Sequence, residues 1–221
     1  MAELQDAGIL LRRVAYSDTS YIIHVLSRSH GRVVLMARGA RRPKSPFRPS
    51  LEPLHDLRLR WRPGRTGMGT LTDVDRGEEL VDAGHSPEGL QLCALASQLF
   101  LEGDPQGYEE LGRAFALLEE RPVQEGMLTG IWSLLSDHGL IGPLDHCWQC
   151  AEPSDALVWK DAECCCPACG RGASLSPGLR RAVPALMHSA GVRLSHGDLT
   201  TWQQMIQDVL RRHGIKPLIL L

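Results

Sequence analysis

Six of the seven cysteines fall between residues 147 and 169, in the stretch HCWQCAEPSDALVWKDAECCCPACGRG. Cys147-x2-Cys150 and Cys166-x2-Cys169 are separated by fifteen residues, a spacing typical of zinc ribbons, in which each tight turn bends two thiolates onto one ion. Four thiolates complete a tetrahedron and leave no position for a water, so the expected ion is one structural Zn2+ rather than a catalytic centre. Cys165-x3-Cys169 offers a rival second pair, but CPACG makes the better knuckle because Pro167 presets the turn and Gly170 frees the backbone. The first knuckle ends in Cys150-Ala151 rather than Cys-Gly. No role follows from the sequence for Cys164 or Cys165, His138 and His146 read as surface residues, and Cys93 reads as a small core residue on a helix. Clustering of this kind points to metal and reduced thiols, not to a disulfide framework.

The rest of the chain has two textures. Up to residue 76, short β-branched runs at 8–16, 21–27, 31–39, 54–62 and 67–75 alternate with breaks such as SDTS and RSHG, and no helical pattern is long enough for a βαβ unit. Five strands in so short a segment predict a small barrel. From residue 86 the apolar spacing turns helical, with helices expected over 86–103, 107–120, 122–139, 176–190 and 199–214. Pro184 is expected to kink or split the fourth. The fold class predicted is α+β multidomain: an N-terminal OB-fold β-barrel (1–80), then an α-helical domain (81–145 and 172–221) with an inserted four-cysteine zinc ribbon (146–171). MAELQDAGILLRR lacks the basic start and long apolar run of a signal peptide, and no window reaches the roughly 20 apolar residues of a membrane span. A soluble cytoplasmic protein, nucleoid-associated if it binds DNA, is the expectation.

The formal charge is -2, but residues 1–76 hold 14 Lys and Arg against 7 Asp and Glu, while residues 77–221 hold 10 against 19. This asymmetry points to an anionic partner for the first part. The segment RGARRPKSPFRP gathers Arg38, Arg41, Arg42, Lys44 and Arg48 around three prolines with no acidic residue. In LHDLRLRWR, Leu57, Leu59 and Trp61 alternate with Arg58, Arg60 and Arg62, so a strand there faces one way with apolar groups and the other with cations. Together with Arg65, the loop and the fan are expected to form one nucleic-acid surface that tracks phosphates, the residues alone leaving DNA and RNA open. Nucleotide-loop, nucleophile-elbow and His-Glu-x-x-His motifs are absent, so the chain is expected not to be an enzyme. A zinc-ribbon adaptor whose basic head binds RNA or an acidic protein is the alternative.

The stretch from YSDTSYIIHVL through RGARRPKS to GMGTLTDVD resembles the N-terminal half of the RecO family of bacterial recombination mediators, with the SD and HGR motifs, the GARRPKS loop and a terminal Gly-x-Gly-x-Leu in place. Arg38 stands where a Lys precedes that loop, and the LDHC knuckle extends the resemblance over most of the chain. The resemblance implies binding of single- and double-stranded DNA and annealing of strands coated with single-stranded-DNA-binding protein (SSB). It also implies cooperation with RecR to load RecA in gap and break repair, without ATP hydrolysis. It further implies that the helical part takes the acidic, Phe-terminated SSB tail in an apolar pocket with a cationic rim. No Lys or Arg lies between Arg121 and Lys160, so such a rim would draw on Arg113, Arg121, Arg180 or Arg181.

Overall fold

A computed structural model describes residues 2–65, 67–188 and 191–218. It divides into two compact units, Met1–Ala116 and Leu117–Leu221. In the first, β1 (Leu4–Tyr16), β2 (Ser20–Ser27), β3 (Gly31–Ala37), β4 (His55–Arg62) and β5 (Gly69–Glu79) close into a barrel of order β1-β2-β3-β5-β4. The pairs are antiparallel except β3 with β5, which meet in parallel at Leu35 with Gly69 and Met36 with Thr70. This is the OB-type arrangement expected from the five apolar runs.

Strand alternation fills the barrel. Leu57, Leu59 and Trp61 of β4 are buried and Arg58, Arg60 and Arg62 exposed. The core joins Leu10, Ile23, Val25, Leu35 and Leu71 to these residues, and two residues of the β3–β4 connection, Ala40 and Leu51, belong to it as well. Gly69 is required where β3 meets β5, because a Cβ there would stand 2.8 Å from Leu35 Cδ2 and 3.0 Å from the Arg62 carbonyl.

β1 is longer than its apolar run. Leu4 to Ile9 pair with β4 and Gly8 to Tyr16 with β2, and a bulge between Leu10 and Arg12 interrupts the pairing with β2. Such an irregularity bends a strand, and beyond it Arg12 to Tyr16 are all exposed. Asp6 fastens the β2–β3 turn to β1: its carboxylate accepts from Ser27 Oγ, from the Ser29 N–H at 2.7 Å and from His30 Nδ1 at 3.3 Å. Two helices buttress this barrel within the unit. α1 (Ser86–Leu99), shorter than expected, has no basic residue in its last turn; Arg32 of β3 supplies the cation, donating to the carbonyls of Ser97 at 2.6 Å and Phe100 at 3.1 Å. These are carbonyls a helix end leaves without intrahelical partners. Tyr108, at the start of α2 (Tyr108–Glu119), donates to Asp56 at 2.8 Å and accepts from Arg28 at 3.0 Å.

In the second unit, α3 (Val123–Asp137), α4 (Pro177–Met187) and α5 (His196–Arg212) pack around Trp132 and Trp202, whose rings meet edge to face at 5.9 Å. α3 passes close to the end of α2, since a Cβ on Gly126 would lie 2.5 Å from the Leu118 carbonyl. Pro184 lies inside α4 without splitting it; the helix ends one turn later. Between α3 and α4 sits a three-stranded sheet, β7-β6-β8, of β6 (Val158–Lys160), β7 (Glu163–Cys165) and β8 (Ala173–Ser174). No described helix is long and apolar enough to cross a membrane.

The Asp6 staple has a pH signature. Burial raises its pKa, but the donors from Ser27, Ser29, His30 and Ala7 outweigh that and hold it below the ordinary 3.8. Its stabilisation is therefore complete above the unfolded value and is lost as pH falls through the lower, folded one. Asp6→Asn should be less stable than the parent at pH 7, and the gap in urea midpoint should close below about pH 3.8; a gap of constant size would show that the carboxylate's charge contributes nothing.

Candidate nucleic-acid interface and metal centre

The basic loop is not a loose connection. A run of backbone turn bonds links Gly39 to Arg42, Arg42 to Ser45, Ser45 to Arg48 and Phe47 to Leu51. Ala40, Leu51 and half-buried Phe47 point into the barrel end, whereas Arg38, Arg41, Arg42, Lys44 and Arg48 are exposed. The segment therefore acts as a cap that fills the barrel end with its small and apolar residues and carries its cations outward. It is tied to the β1–β2 hairpin. The Arg41 N–H donates to the Thr19 carbonyl at 2.9 Å, the Arg41 guanidinium to Ser17 O, and Arg13 to Leu51 O at 2.8 Å.

The β4 arginines have different neighbours. Register places Arg58 opposite Asp75 and Arg60 opposite Asp73 on β5. Arg60 reaches Asp73 at 2.7 Å, and Arg62 lies 3.8 Å from Glu3. Arg60 is thus half of a cross-strand ion pair and Arg62 has a carboxylate nearby, so this part of the fan is largely neutralised. Arg13 of β1 and Arg41 of the cap are instead held by neutral carbonyls, which fix a guanidinium without cancelling its charge; Arg13 in addition lies 3.7 Å from Glu52. Arg65 lies exposed in the β4–β5 connection beside exposed Met68.

The hairpin adds residues that sequence reasoning did not place at the interface. Val14 and Tyr16 are 44% and 52% exposed, and Arg12 donates to His24 Nε2 at 3.2 Å. Burial, and then the charges of Arg12 and Arg32, lower the His24 pKa, so this imidazole stays neutral at pH 7. The signal in the sequence was Tyr16 beside the SDTS break. In OB folds, ligands lie across strands 2 and 3 between the β1–β2 and β4–β5 loops, which here carry Tyr16 and Arg65 with Met68.

In the second unit, Cys147, Cys150, Cys166 and Cys169 converge: their sulfurs lie within 4.8 Å of one another, with Cys150 and Cys166 at 3.9 Å. Bonds of about 2.3 Å to a tetrahedral zinc separate sulfurs by roughly 3.8 Å, so the donor set fits such an ion. The knuckles close as expected, with Ala151 N–H to Cys147 O at 2.8 Å and Cys169 N–H to Cys166 O at 3.0 Å. Ala151 takes φ +61°, the left-handed position glycine occupies more easily. Gly170 is needed for closeness, since a Cβ would meet Cys165 Cβ at 3.3 Å. Backbone N–H groups of Cys166 and Cys150 draw the Cys147 thiol down to about 6, while hydrogen bonds with the other thiols, Cys166 first, push Cys169 up to about 12. Burial pushes Cys164 and Cys93 up to about 12; both are inert, and Cys164 lies in β7 opposite Trp159.

Three contacts clamp this module to its helices. Trp159 donates to Asp208 of α5 at 2.9 Å, Arg212 of α5 pairs with Glu163, and Arg180 of α4 donates to the carbonyls of Ser154 and Asp155. Arg180 is thereby engaged. Arg121, with a side chain only 7% exposed, donates to the carbonyls of Leu117 at 3.1 Å and Leu186 at 2.6 Å. Arg181 is exposed on α4, and Arg113 lies on α2 in the first unit.

Fold and site together define an OB-barrel protein with a cationic cap and a helical unit built around a four-thiolate centre. Residues 1–76 match the family profile described as Recombination protein O N terminal, and residues 89–218 match Recombination protein O C terminal; the chain belongs to that family. Among curated relatives, DNA repair protein RecO of Actinobacillus pleuropneumoniae serotype 5b is 43% identical over 75 residues, 34% of this chain and 31% of that protein. DNA repair protein RecO of Polynucleobacter asymbioticus is 30% identical over 165 residues, 70% and 66% of the two chains. The match to the Actinobacillus proteins thus spans about a third of their length.

Two outcomes test the assignments. Cys166→Ser should lose bound metal by elemental analysis and expose Trp159 fluorescence to quenching, whereas Cys164→Ser should keep a full complement. Asp73→Asn with Asp75→Asn should tighten oligonucleotide binding several-fold at low salt by freeing Arg60 and removing the carboxylate opposite Arg58; no change would mean that these arginines lie off the path of the nucleic acid.

Proposed function

We propose that this chain is a DNA-binding mediator that anneals complementary strands coated with SSB and, with RecR, helps to load RecA in gap and double-strand-break repair, in the cytoplasm. Membership of the family supports the reading. The observation that carries it is the cap: five cations raised on a folded platform, of which Arg41 is anchored to a carbonyl, with anchored Arg13 and the carboxylate of Glu52 beside them. Such a surface neutralises phosphates of any sequence and lowers the repulsion between two strands brought together on it. Base pairing then supplies the free energy, about 1.4 kcal/mol per stacked step, so the chain needs no catalytic group. The working division is a barrel domain over 1–80, a helical domain over 81–145 and 172–221, and the metal module over 146–171.

The metal is proposed to be one Zn2+ on Cys147, Cys150, Cys166 and Cys169, where a closed tetrahedron supplies folding energy and no reactive position. The residues themselves do the rest: Trp159, Arg180 and Arg212 transmit the order of the module to α4 and α5. The SSB tail is proposed to seat in a cleft of about 860 Å³ in the helical unit, lined by Leu186, Val192 and Leu194 together with Glu120 and Glu125, with Arg193 exposed at its edge. Arg121 builds the wall of that cleft, and Arg193 is the cation available to a terminal carboxylate.

Complementary oligonucleotides coated with SSB should form duplex faster with this protein present and ATP absent. If about five cap cations contact phosphates, log K for a single strand falls with log salt at a slope of about -3.5. Replacing Arg41, Arg42 and Lys44 together by Ala should flatten that slope by about 2 and slow annealing, with metal content unchanged. Binding of RNA in preference to DNA, or no acceleration, would favour an adaptor role. Arg193→Glu should weaken binding of an SSB tail peptide about tenfold by removing one charge-assisted contact; equal binding of a peptide lacking its final Phe would exclude this cleft.

A further inference from the structure

The cap and the hairpin enclose a cleft of about 400 Å³ whose walls are almost wholly polar, lined by Arg13, Tyr21, Arg41, Arg48, Leu51 and Glu52. The Arg13 and Arg41 guanidiniums lie 5.7 Å and 5.9 Å from the centre of the Tyr21 ring. Each is fixed by one backbone carbonyl, Leu51 O for Arg13 and Ser17 O for Arg41. A guanidinium has five donors in a rigid fork, so each keeps most of its donors for a ligand while its position is set in advance. Arg48 is exposed at the same cleft.

We infer that this cleft is a phosphate-monoester site, which takes the terminal phosphate of a nucleic-acid strand. The inference rests on the DNA-binding reading above and adds strand-end recognition to it. Charge selects the monoester. Three guanidiniums against the single carboxylate of Glu52 leave an excess of two positive charges, and a phosphate monoester carries about -1.5 to -2 at pH 7 where an internal diester carries only one. Geometry agrees: buried Leu51 and half-buried Tyr21 line the cleft between the cap and the hairpin, so that it is bounded by both segments and accepts an end more readily than a strand running through. Forked, carbonyl-fixed arginines suit the several oxygens of a terminal phosphate. The cap cations Arg38, Arg42 and Lys44 would then meet the nucleotides that follow.

The same chemistry is presented by a free nucleoside monophosphate, so the test has two arms. Fluorescence anisotropy compares one oligonucleotide bearing a 5′-phosphate, a 3′-phosphate or hydroxyls at both ends, against the parent chain and Arg48→Ala. A strand-end site predicts about tenfold tighter binding of one phosphorylated form. It also predicts that Arg48→Ala removes the preference, weakening binding of the phosphorylated strand about tenfold more than that of the hydroxyl-ended strand. In the second arm, 5′-dAMP is titrated as competitor. Displacement of the phosphorylated strand at millimolar dAMP supports the site. Displacement with no preference among strand ends assigns the site to the free nucleotide and overturns strand-end recognition. Equal affinity for all three strands with no effect of dAMP overturns the inference while leaving DNA binding itself intact, whereas failure to bind any strand would overturn the functional reading on which it rests.

Discussion

Two parallel residue pairs, Leu35 with Gly69 and Met36 with Thr70, close the barrel, and much of the first unit follows from that closure. Once β3 is joined to β5, no open sheet edge remains between them, and the connection from β3 to β4 has to cross the end of the barrel. An unfilled barrel end would leave the lining of Leu35, Leu57 and Leu59 without partner atoms, which is costly in a close-packed interior. Ala40, Phe47 and Leu51 meet that need. Their spacing leaves the intervening positions turned to solvent, and those positions hold the cations. The charged platform is thus a by-product of how the core is sealed, and it is held as firmly as the core.

How an arginine is anchored decides what it can do. Arg60 and Arg62 are matched to carboxylates and contribute little net field; surface pairs of this kind also add little stability. Arg32, Arg121 and Arg180 are spent on carbonyls in largely buried settings, where they finish helix ends or join segments. Arg13 and Arg41 are tethered to carbonyls at an open cleft, Arg13 with Glu52 beside it and Arg41 held through a neutral carbonyl oxygen. The same residue type therefore serves as ion-pair partner, splint and cleft-lining cation in one chain.

The strand alternation of β4, the helix positions and the four convergent cysteines were legible in the sequence, because each is a short-range property: a period of two, a period near 3.6, a knuckle spacing. What escaped was long-range. Asp73 and Asp75 are visible in TLTDVD, but placing them opposite Arg60 and Arg58 requires the β4–β5 register, which an irregularity between Arg60 and Trp61 shifts. The cap was legible as charge but not as packing, since Ala40 and Leu51 lack any periodic partner nearby. Arg121 and Arg180 looked available because the carbonyls that occupy them lie 65 and 26 residues away. Ala151 shows the reverse: a residue that seemed to weaken the knuckle adopts the left-handed backbone the turn requires.

Because Ala40 and Leu51 belong to the core while Arg41 and Arg48 sit beside them on the same turns, affinity and folding of the barrel are thermodynamically one ledger. A ligand that binds only the capped barrel, at a hundred times its Kd, would raise the stability of that fold by about 2.7 kcal/mol. Conversely, a methyl lost from the barrel end would surface as an apparent recognition defect in a residue that touches no ligand. Natural variation in this segment is therefore constrained twice over, inward by volume and outward by charge, and drift at either kind of position is felt at the other.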